Sequence, residues 1–168
     1  IGGGLIIEGA GFNGTGGYAG EFGQNRSGGA SDEGRRGGRL EDEVRRDRLL
    51  RTVGLPSADE PTLRAAIRSA LSGSSSSSGS DSGSGSETSA EISRQRRVLA
   101  LALANAVNVL NPSVVILGGF LAAILETDPD GLRAAVAADA MAASMEGLQV
   151  VPAELGEDRL LIGAAEAA

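Results

Sequence analysis

Cysteine, histidine, lysine and tryptophan are absent from this 168-residue sequence, and aromatic residues make up only 2% of it. Without imidazole, thiol or amine there is no His base, no Cys nucleophile, no Schiff base and no lysine-bearing phosphate loop, so any acid–base work falls to Asp or Glu. The same absences exclude a disulfide framework and leave zinc without its usual ligands. All 15 basic residues are Arg and the net charge is −7, which argues against a surface built to neutralise nucleic-acid phosphates. The Arg-rich stretch from 35 to 51 is interleaved with Glu41, Asp42, Glu43 and Asp47, so its net field is small. No run approaches the roughly 20 apolar residues of a membrane span, and no basic-then-apolar signal pattern opens the sequence. The expectation is a soluble, cytoplasmic protein with neither membrane nor direct nucleic-acid contact.

What is present is 41% hydrophobic residue and 26 Gly, so the core is built from Ala, Val, Leu and Ile. The length suits one domain. Residues 1–7 read as a strand, Glu8-Gly9 as a turn, and the segment around Phe12 as the return strand of a hairpin. From Thr15 to Gly38 the chain is rich in Gly, Ser and Arg and reads as loop, with a short turn at Glu21 to Gly23. Leu40 to Val53 reads as one helix. A second helix follows the Ser57/Glu60 capping box, carries Leu63, Ile67, Ala70 and Leu71, and ends at Gly73. Residues 72–87, SGSSSSSGSDSGSGSE, are a Ser/Gly-rich flexible insertion within one domain. Thr88 with Glu91 opens a long helix through Leu110, with Leu99, Leu103, Ala106 and Leu110 on one stripe, a face open to a homo-oligomer partner. SVVILGG is a strand patterned for cover on both faces. Asp128-Pro129 caps and starts a helix carrying Leu132, Val136 and Ala140 and closing at Gly147; LQVVPA is a further strand and the segment from Asp158 a terminal helix. The order is that of a mixed α/β layer architecture.

Three stretches carry chemistry. In IGGGLI, consecutive glycines let backbone N–H groups approach an anion without an intervening Cβ; the plain alternative is a strand edge packed against another backbone. In VVILGGF, a Gly-Gly pair at the carboxyl end of a strand lets a nucleotide or sugar lie close to the chain, or merely allows a sharp exit. In AGEFGQN, with Glu41 some twenty residues on, carboxylates near Gly-rich loops suit hydroxyl-rich ligands, because an ionised carboxylate accepts several O–H hydrogen bonds. The alternative there is solvated surface charge.

In this order and spacing, IGGGLIIEGAGFNGTGGYAGEFGQ resembles a segment of the ROK family of bacterial sugar kinases and sugar-responsive transcriptional repressors. The resemblance continues through EGRRGGRLEDEV, which is similar to the family's Cys-rich segment with its cysteines gone. It continues again through LANAVNVLNPSVVILGGF and LGEDRLLIGAAEAA. It implies an α/β chain corresponding to the C-terminal lobe of the actin-like (hexokinase-like, ribonuclease H-like) ATPase fold, a mixed sheet with flanking helices, over residues 1–168. It further implies that Gly2, Gly3 and Gly4 line nucleotide phosphates, that Gly118 and Gly119 approach the nucleotide from the other side, and that Glu21 binds sugar hydroxyls. Glu41 is the nearest match to the glutamate after the Cys-rich segment, one residue out of the usual spacing. Gln24 stands where the family has His, able to hydrogen-bond a sugar but not to replace His on zinc. Ser31, Glu33 and Gly38 occupy the region of the zinc cysteines, so no metal is expected.

The family's Asp-x-Gly-Gly-Thr phosphate loop and catalytic Asp, which precede the Gly-rich hairpin in kinases, are not in this sequence, and no catalytic residue is assigned. The reading that follows is the sugar-effector part of a ROK-type transcriptional regulator, a truncated chain without its DNA-binding and N-terminal lobes, whose ligand is a small-molecule sugar and which needs no cofactor. The alternatives are a fragment of a ROK sugar kinase, in which case ATP and Mg would bind, and a degenerate structural remnant.

Overall fold

The computed structural model describes residues 1–27, 38–73 and 82–154. The chain opens with strands β1 (Leu5–Ile7) and β2 (Ala10–Phe12), paired antiparallel with Leu5 opposite Phe12. Glu8 and Gly9 join them at φ of 52° and 79°, the left-handed pair whose twist matches that of the two strands. A single 3-10 turn over Phe22–Gln24 follows, where the sequence reading placed a short turn.

The expected helix from Leu40 to Val53 is two helices, α1 (Leu40–Glu43) and α2 (Arg46–Thr52). Val44 and Arg45 between them are extended. The cause is a side chain from elsewhere: the backbone N–H of Arg45 donates to Gln95 Oε1 at 2.9 Å, and Gln95 Nε2 donates back to the Arg45 carbonyl at 2.9 Å. Gln95 thus pairs with Arg45 as a neighbouring strand would, and helical hydrogen bonding cannot run through that residue.

Helix α3 (Glu60–Gly73) is capped by Asp59 and not by the expected Ser57: the Thr62 N–H donates to Asp59 Oδ1 at 2.8 Å. Helix α4 (Ser82–Leu110) has 29 residues and so extends about 44 Å. It starts six residues before the expected Thr88 cap, so residues 82–87 of the Ser/Gly tract belong to this helix and 72–73 to the end of α3. Residues 74–81 lie outside the described residues. Thr88, fully buried, is no cap; its hydroxyl donates to the Thr52 carbonyl at 3.2 Å and ties α4 to the end of α2. The buried stripe of α4 is Ile92, Leu99, Ala100, Ala104 and Val107, rotated from the expected one, and Val109 and Leu110 are exposed. Ala at 100 and 104 lets neighbouring helices come close, and α4 packs against α2, α3 and α6 as the axis of the molecule.

Strand β3 (Val114–Leu117) pairs in parallel with β4 (Gln149–Pro152), Val115 opposite Val150. It is covered on one face only, not both: Leu117 is buried while Ile116 is 61% exposed. The crossover between these strands holds α5 (Phe120–Thr127), α6 (Pro129–Asp139) and the short α7 (Ala142–Met145). Asp128 caps α6 as expected, its Oδ1 accepting from the Gly131 N–H at 2.8 Å. That helix stops at Asp139 instead of Gly147. α5, which the sequence reading did not delimit, has Ala122, Ala123, Ile124 and Leu125 buried in succession, the signature of a helix enclosed on all sides. The described strands therefore form two small sheets, β1–β2 and β3–β4, with helices around them. The expected terminal helix after residue 155 lies outside the described residues. Among those described, no helix is long and apolar enough to cross a membrane.

Candidate functional site

Two segments far apart in sequence are laid side by side. The Leu40 N–H donates to the Asn25 carbonyl at 2.8 Å, the Ser27 N–H to the Gly38 carbonyl at 3.0 Å, and the Ser27 hydroxyl to the same carbonyl at 2.9 Å. This short ladder fixes the 3-10 turn against the first residues of α1. Gln24 and Glu41 meet as a result: Gln24 Nε2 donates to Glu41 Oε1 at 2.6 Å. The Ile1 nitrogen lies 3.3 Å from the second carboxylate oxygen, Oε2, and the Ile1 carbonyl accepts from the Gly23 N–H at 3.0 Å. Gly23 is buried against this group, and a Cβ there would stand 2.8 Å from Glu41 Oε2. The Glu41 side chain is 34% exposed, so about a third of it reaches solvent.

Glu21 begins the same turn, is exposed, and makes no capping hydrogen bond with its side chain; its carbonyl accepts from the Gln24 N–H at 3.1 Å. The structure therefore joins Gln24 to Glu41 directly and sets Glu21 one turn away with its carboxylate in solvent. Such a set offers carboxylate acceptors and one amide, which suits hydroxyl groups.

The glycines separate into two kinds. Gly2 and Gly4 are exposed with open space where a side chain would be, whereas Gly3 packs against Gly20: a Cβ on Gly3 would lie 2.8 Å from the Gly20 carbonyl oxygen and 2.6 Å from the Phe22 ring. At Gly3 the close-packing alternative is the one observed. Gly118 and Gly119 follow β3, and Gly119, at φ 59°, turns the chain into α5 with nothing near its α-carbon face. They follow a strand of one sheet, whereas Gly2, Gly3 and Gly4 precede a strand of the other.

A second polar cluster supports the site from behind. Arg94 of α4 grips Glu43 at the end of α1, with Nη1 to Glu43 Oε2 at 3.1 Å and Nη2 to the Glu43 carbonyl at 2.6 Å. It also makes a two-pronged pair with Glu91, at 2.9 Å on each prong, and Gln95 Nε2 donates to the same carboxylate at 2.8 Å. Burial pushes the Glu91 carboxyl up, but hydrogen bonds from Arg94 and Gln95 and the charges of Arg94 and Arg48 outweigh it, holding the group below its ordinary 4.5. A carboxyl depressed in the folded state stabilises it above the unfolded pKa and ceases to do so as pH falls through the folded value. Urea midpoints measured between pH 7 and pH 3 are thus expected to drop on the acid side of 4.5, and Glu91→Gln to flatten that drop. An equally steep acid limb in the variant would contradict this assignment.

Gln95 is the important residue that the sequence reading passed over. The available signal was its place: with Ile92 and Leu99 it lies at i, i+3, i+7, a polar residue on the buried stripe of α4.

Among the described residues, no group of three or more Asp, Glu, His or Cys is placed to hold a metal ion. The positions 31 and 33 considered for zinc fall outside them. The donor set does not fit zinc in any case, since the chain has no Cys or His and the Gln24 amide is engaged with Glu41.

The model of the ROK family matches residues 63–168. The chain belongs to the ROK family. Solved ROK structures share its fold across nearly all of its length. A ROK family glucokinase from Streptomyces griseus, in complex with glucose and AMPPNP, superposes with a TM-score of 0.61 at 23% identity over 99% of this chain and 56% of that one. A ROK hexokinase from Thermus thermophilus gives 0.60 at 24% identity over 100% and 53%. A ROK family transcriptional regulator, homologue of the E. coli MLC protein, gives 0.59 at 18% identity over 90% and 39%. This ROK chain has the α/β, hexokinase-like (actin-like ATPase) fold, and spans between 39% and 56% of the length of these relatives. No curated protein sequence matches it.

Proposed function

We propose that this chain is the sugar-binding part of a ROK-type transcriptional regulator, with Gln24, Glu41 and Glu21 as the groups that meet sugar hydroxyls. The observation that carries the reading is the 2.6 Å hydrogen bond from Gln24 to Glu41, held by the ladder between residues 25–27 and 38–40. A carboxylate already oriented by an amide loses little side-chain freedom on accepting a hydroxyl, so more of the interaction survives as affinity. The glucokinase relative was solved with glucose bound, which supports a sugar as the ligand class. A regulator reading is favoured over a catalytic one because a sensor needs only recognition, which carboxylate and amide provide, whereas the chain carries neither His nor Cys for the metal-linked part of the family site. Zinc is accordingly expected below stoichiometric levels by elemental analysis of purified, tag-free protein; one zinc per chain would overturn that part of the reading. A cytoplasmic setting is in keeping with this role, and the negative net charge leaves any DNA contact to another part of the regulator.

A ROK sugar kinase is the second reading, and the open backbone at Gly118-Gly119 favours it, since a nucleotide can lie against a strand end that has no side chains. Calorimetric titration with glucose, N-acetylglucosamine and xylose tests both. Binding to at least one sugar at millimolar concentration or below is expected, with Glu41→Gln weaker by about tenfold or more, as befits a charge-assisted hydrogen bond. Flat titrations for all three sink the sugar-binding reading for this chain. Binding of AMPPNP to the same chain, lost on Gly119→Val, would shift the balance to the kinase.

A further inference from the structure

Three residues before Glu21, in the same Gly-rich loop, stands an aromatic residue that the sugar-binding reading leaves without a role. Tyr18 is the only tyrosine in the chain, and its side chain is 79% exposed. It is not a loose surface residue. The loop that carries it, from Asn13 to Ala19, is closed by the Ala19 N–H donating to the Asn13 carbonyl at 3.0 Å and the Gly17 N–H to the Gly14 carbonyl at 3.4 Å. Gly14 and Gly17 hold φ of 69° and 80° in that loop, which few other residues would tolerate. One edge of the ring lies close to Gly16: a Cβ there would stand 3.0 Å from Cδ2 and 3.3 Å from Cε2. A side chain at position 16 would crowd that edge, while most of the residue is open to solvent.

We infer that Tyr18 is the stacking platform of the sugar site, its open face covering the C–H face of a pyranose whose hydroxyls are met by Glu21, Gln24 and Glu41; the inference rests on the sugar-binding reading above. The chain geometry permits it. Three peptide links separate Tyr18 from Glu21, so their α-carbons lie within about 11 Å, a span that a monosaccharide and two side chains bridge. The chemistry is complementary. A pyranose with equatorial hydroxyls has polar edges and an apolar face, and carboxylates and an amide can serve only the edges. An aromatic ring serves the face, and its two side-chain torsions leave little rotamer freedom to lose on binding. The same arrangement assigns Gly16 a purpose that the turn alone does not require, because its φ is not among those in the left-handed region.

The selectivity that follows is for ring sugars over open-chain polyols. Sorbitol presents hydroxyls to Glu21, Gln24 and Glu41 but no flat C–H face to Tyr18.

The chain contains no tryptophan, so its intrinsic fluorescence comes from Tyr18 alone. The experiment titrates glucose, xylose and sorbitol into wild type, Tyr18→Phe and Tyr18→Ala, reading heat and tyrosine emission in parallel. Expected are a saturable change in wild-type emission with the same midpoint as the calorimetric curve, retention of affinity in Tyr18→Phe, and a loss of about three- to tenfold in Tyr18→Ala. Sorbitol is expected to bind more weakly than glucose to wild type and equally to wild type and Tyr18→Ala. Calorimetric binding of glucose with unchanged affinity in Tyr18→Ala would overturn the platform while leaving the sugar-binding reading intact. An absence of heat with every sugar in wild type would overturn both.

Discussion

Replacing Gln95 with Ala is expected to destabilise the chain by about 2–4 kcal/mol. Gln95 is fully buried, and its amide pairs with both the N–H and the carbonyl of Arg45, while it also donates to Glu91. Truncation takes this partner from the two backbone groups and leaves the Glu91 carboxylate with Arg94 alone of the pair that holds it, and it adds a cavity on the stripe of α4. The loss has a direction as well as a size. Arg45 is the joint between α1 and α2, and α1 carries Glu41, so the joint that keeps the carboxylate in register with the 3-10 turn is weakened first. Urea unfolding measures the stability, and Gln95→Met, which keeps the volume but not the hydrogen bonds, separates the polar from the packing contribution. If Gln95→Met were as stable as wild type, the pairing with Arg45 would carry no weight.

Gly20→Ala is expected to detach the hairpin from the 3-10 turn, with a local cost of about 2–3 kcal/mol or more. Gly20 holds φ 95°, a conformation that strains any residue with a Cβ, and that Cβ would sit 2.6 Å from the Gly3 carbonyl oxygen. The opposing group is backbone and has no rotamer with which to move aside, so the two glycines must part. Because β1 and β2 form a two-stranded sheet of their own, the rest of the core feels little of this, and a global unfolding midpoint is a poor readout. Amide hydrogen exchange is the better one. The Gly23 N–H, bonded to the Ile1 carbonyl at 3.0 Å, and the Leu40 N–H, bonded to Asn25 at 2.8 Å, are expected to lose protection in the variant, while amides of α4 around Ala104 keep theirs. Unchanged protection at Gly23 would mean that the Gly3–Gly20 approach does not hold the site together.

Much of this molecule is legible in its sequence, and the parts that are not share a cause. The hairpin, the Asp128-Pro129 start of α6, the strands β3 and β4 and the Gly-Gly exit are local events, set by turn chemistry, capping and short apolar runs. The breaks are tertiary. Nothing near Arg45 announces that a helix must stop there; the instruction comes from Gln95, fifty residues on. Likewise Ser82 to Glu87 have the composition of a linker but continue α4 toward its N-terminus, and the hydroxyl of Thr88, which reads as a cap, instead reaches the end of α2. For the site, residue type pointed to Glu21 and Glu41 and the family resemblance added Gln24, but only the ladder between Asn25–Ser27 and Gly38–Leu40 explains why Gln24 and Glu41 touch and Glu21 does not join them. The glycines of IGGGLI show the converse: a nest for anions and a close-packed edge are indistinguishable as text, and at Gly3 the packing against Gly20 decides.

The central claim is that a sugar hydroxyl meets the Gln24–Glu41 pair, and the side-chain amide signals of Gln24 report on it directly. In a nitrogen-15 correlation spectrum, assigned by comparison with Gln24→Glu, those signals are predicted to shift progressively as glucose, N-acetylglucosamine or xylose is added, and to stay still in Glu41→Gln. Calorimetric binding of a sugar with the Gln24 amide signals unmoved would contradict the account, because the ligand would then be held somewhere else.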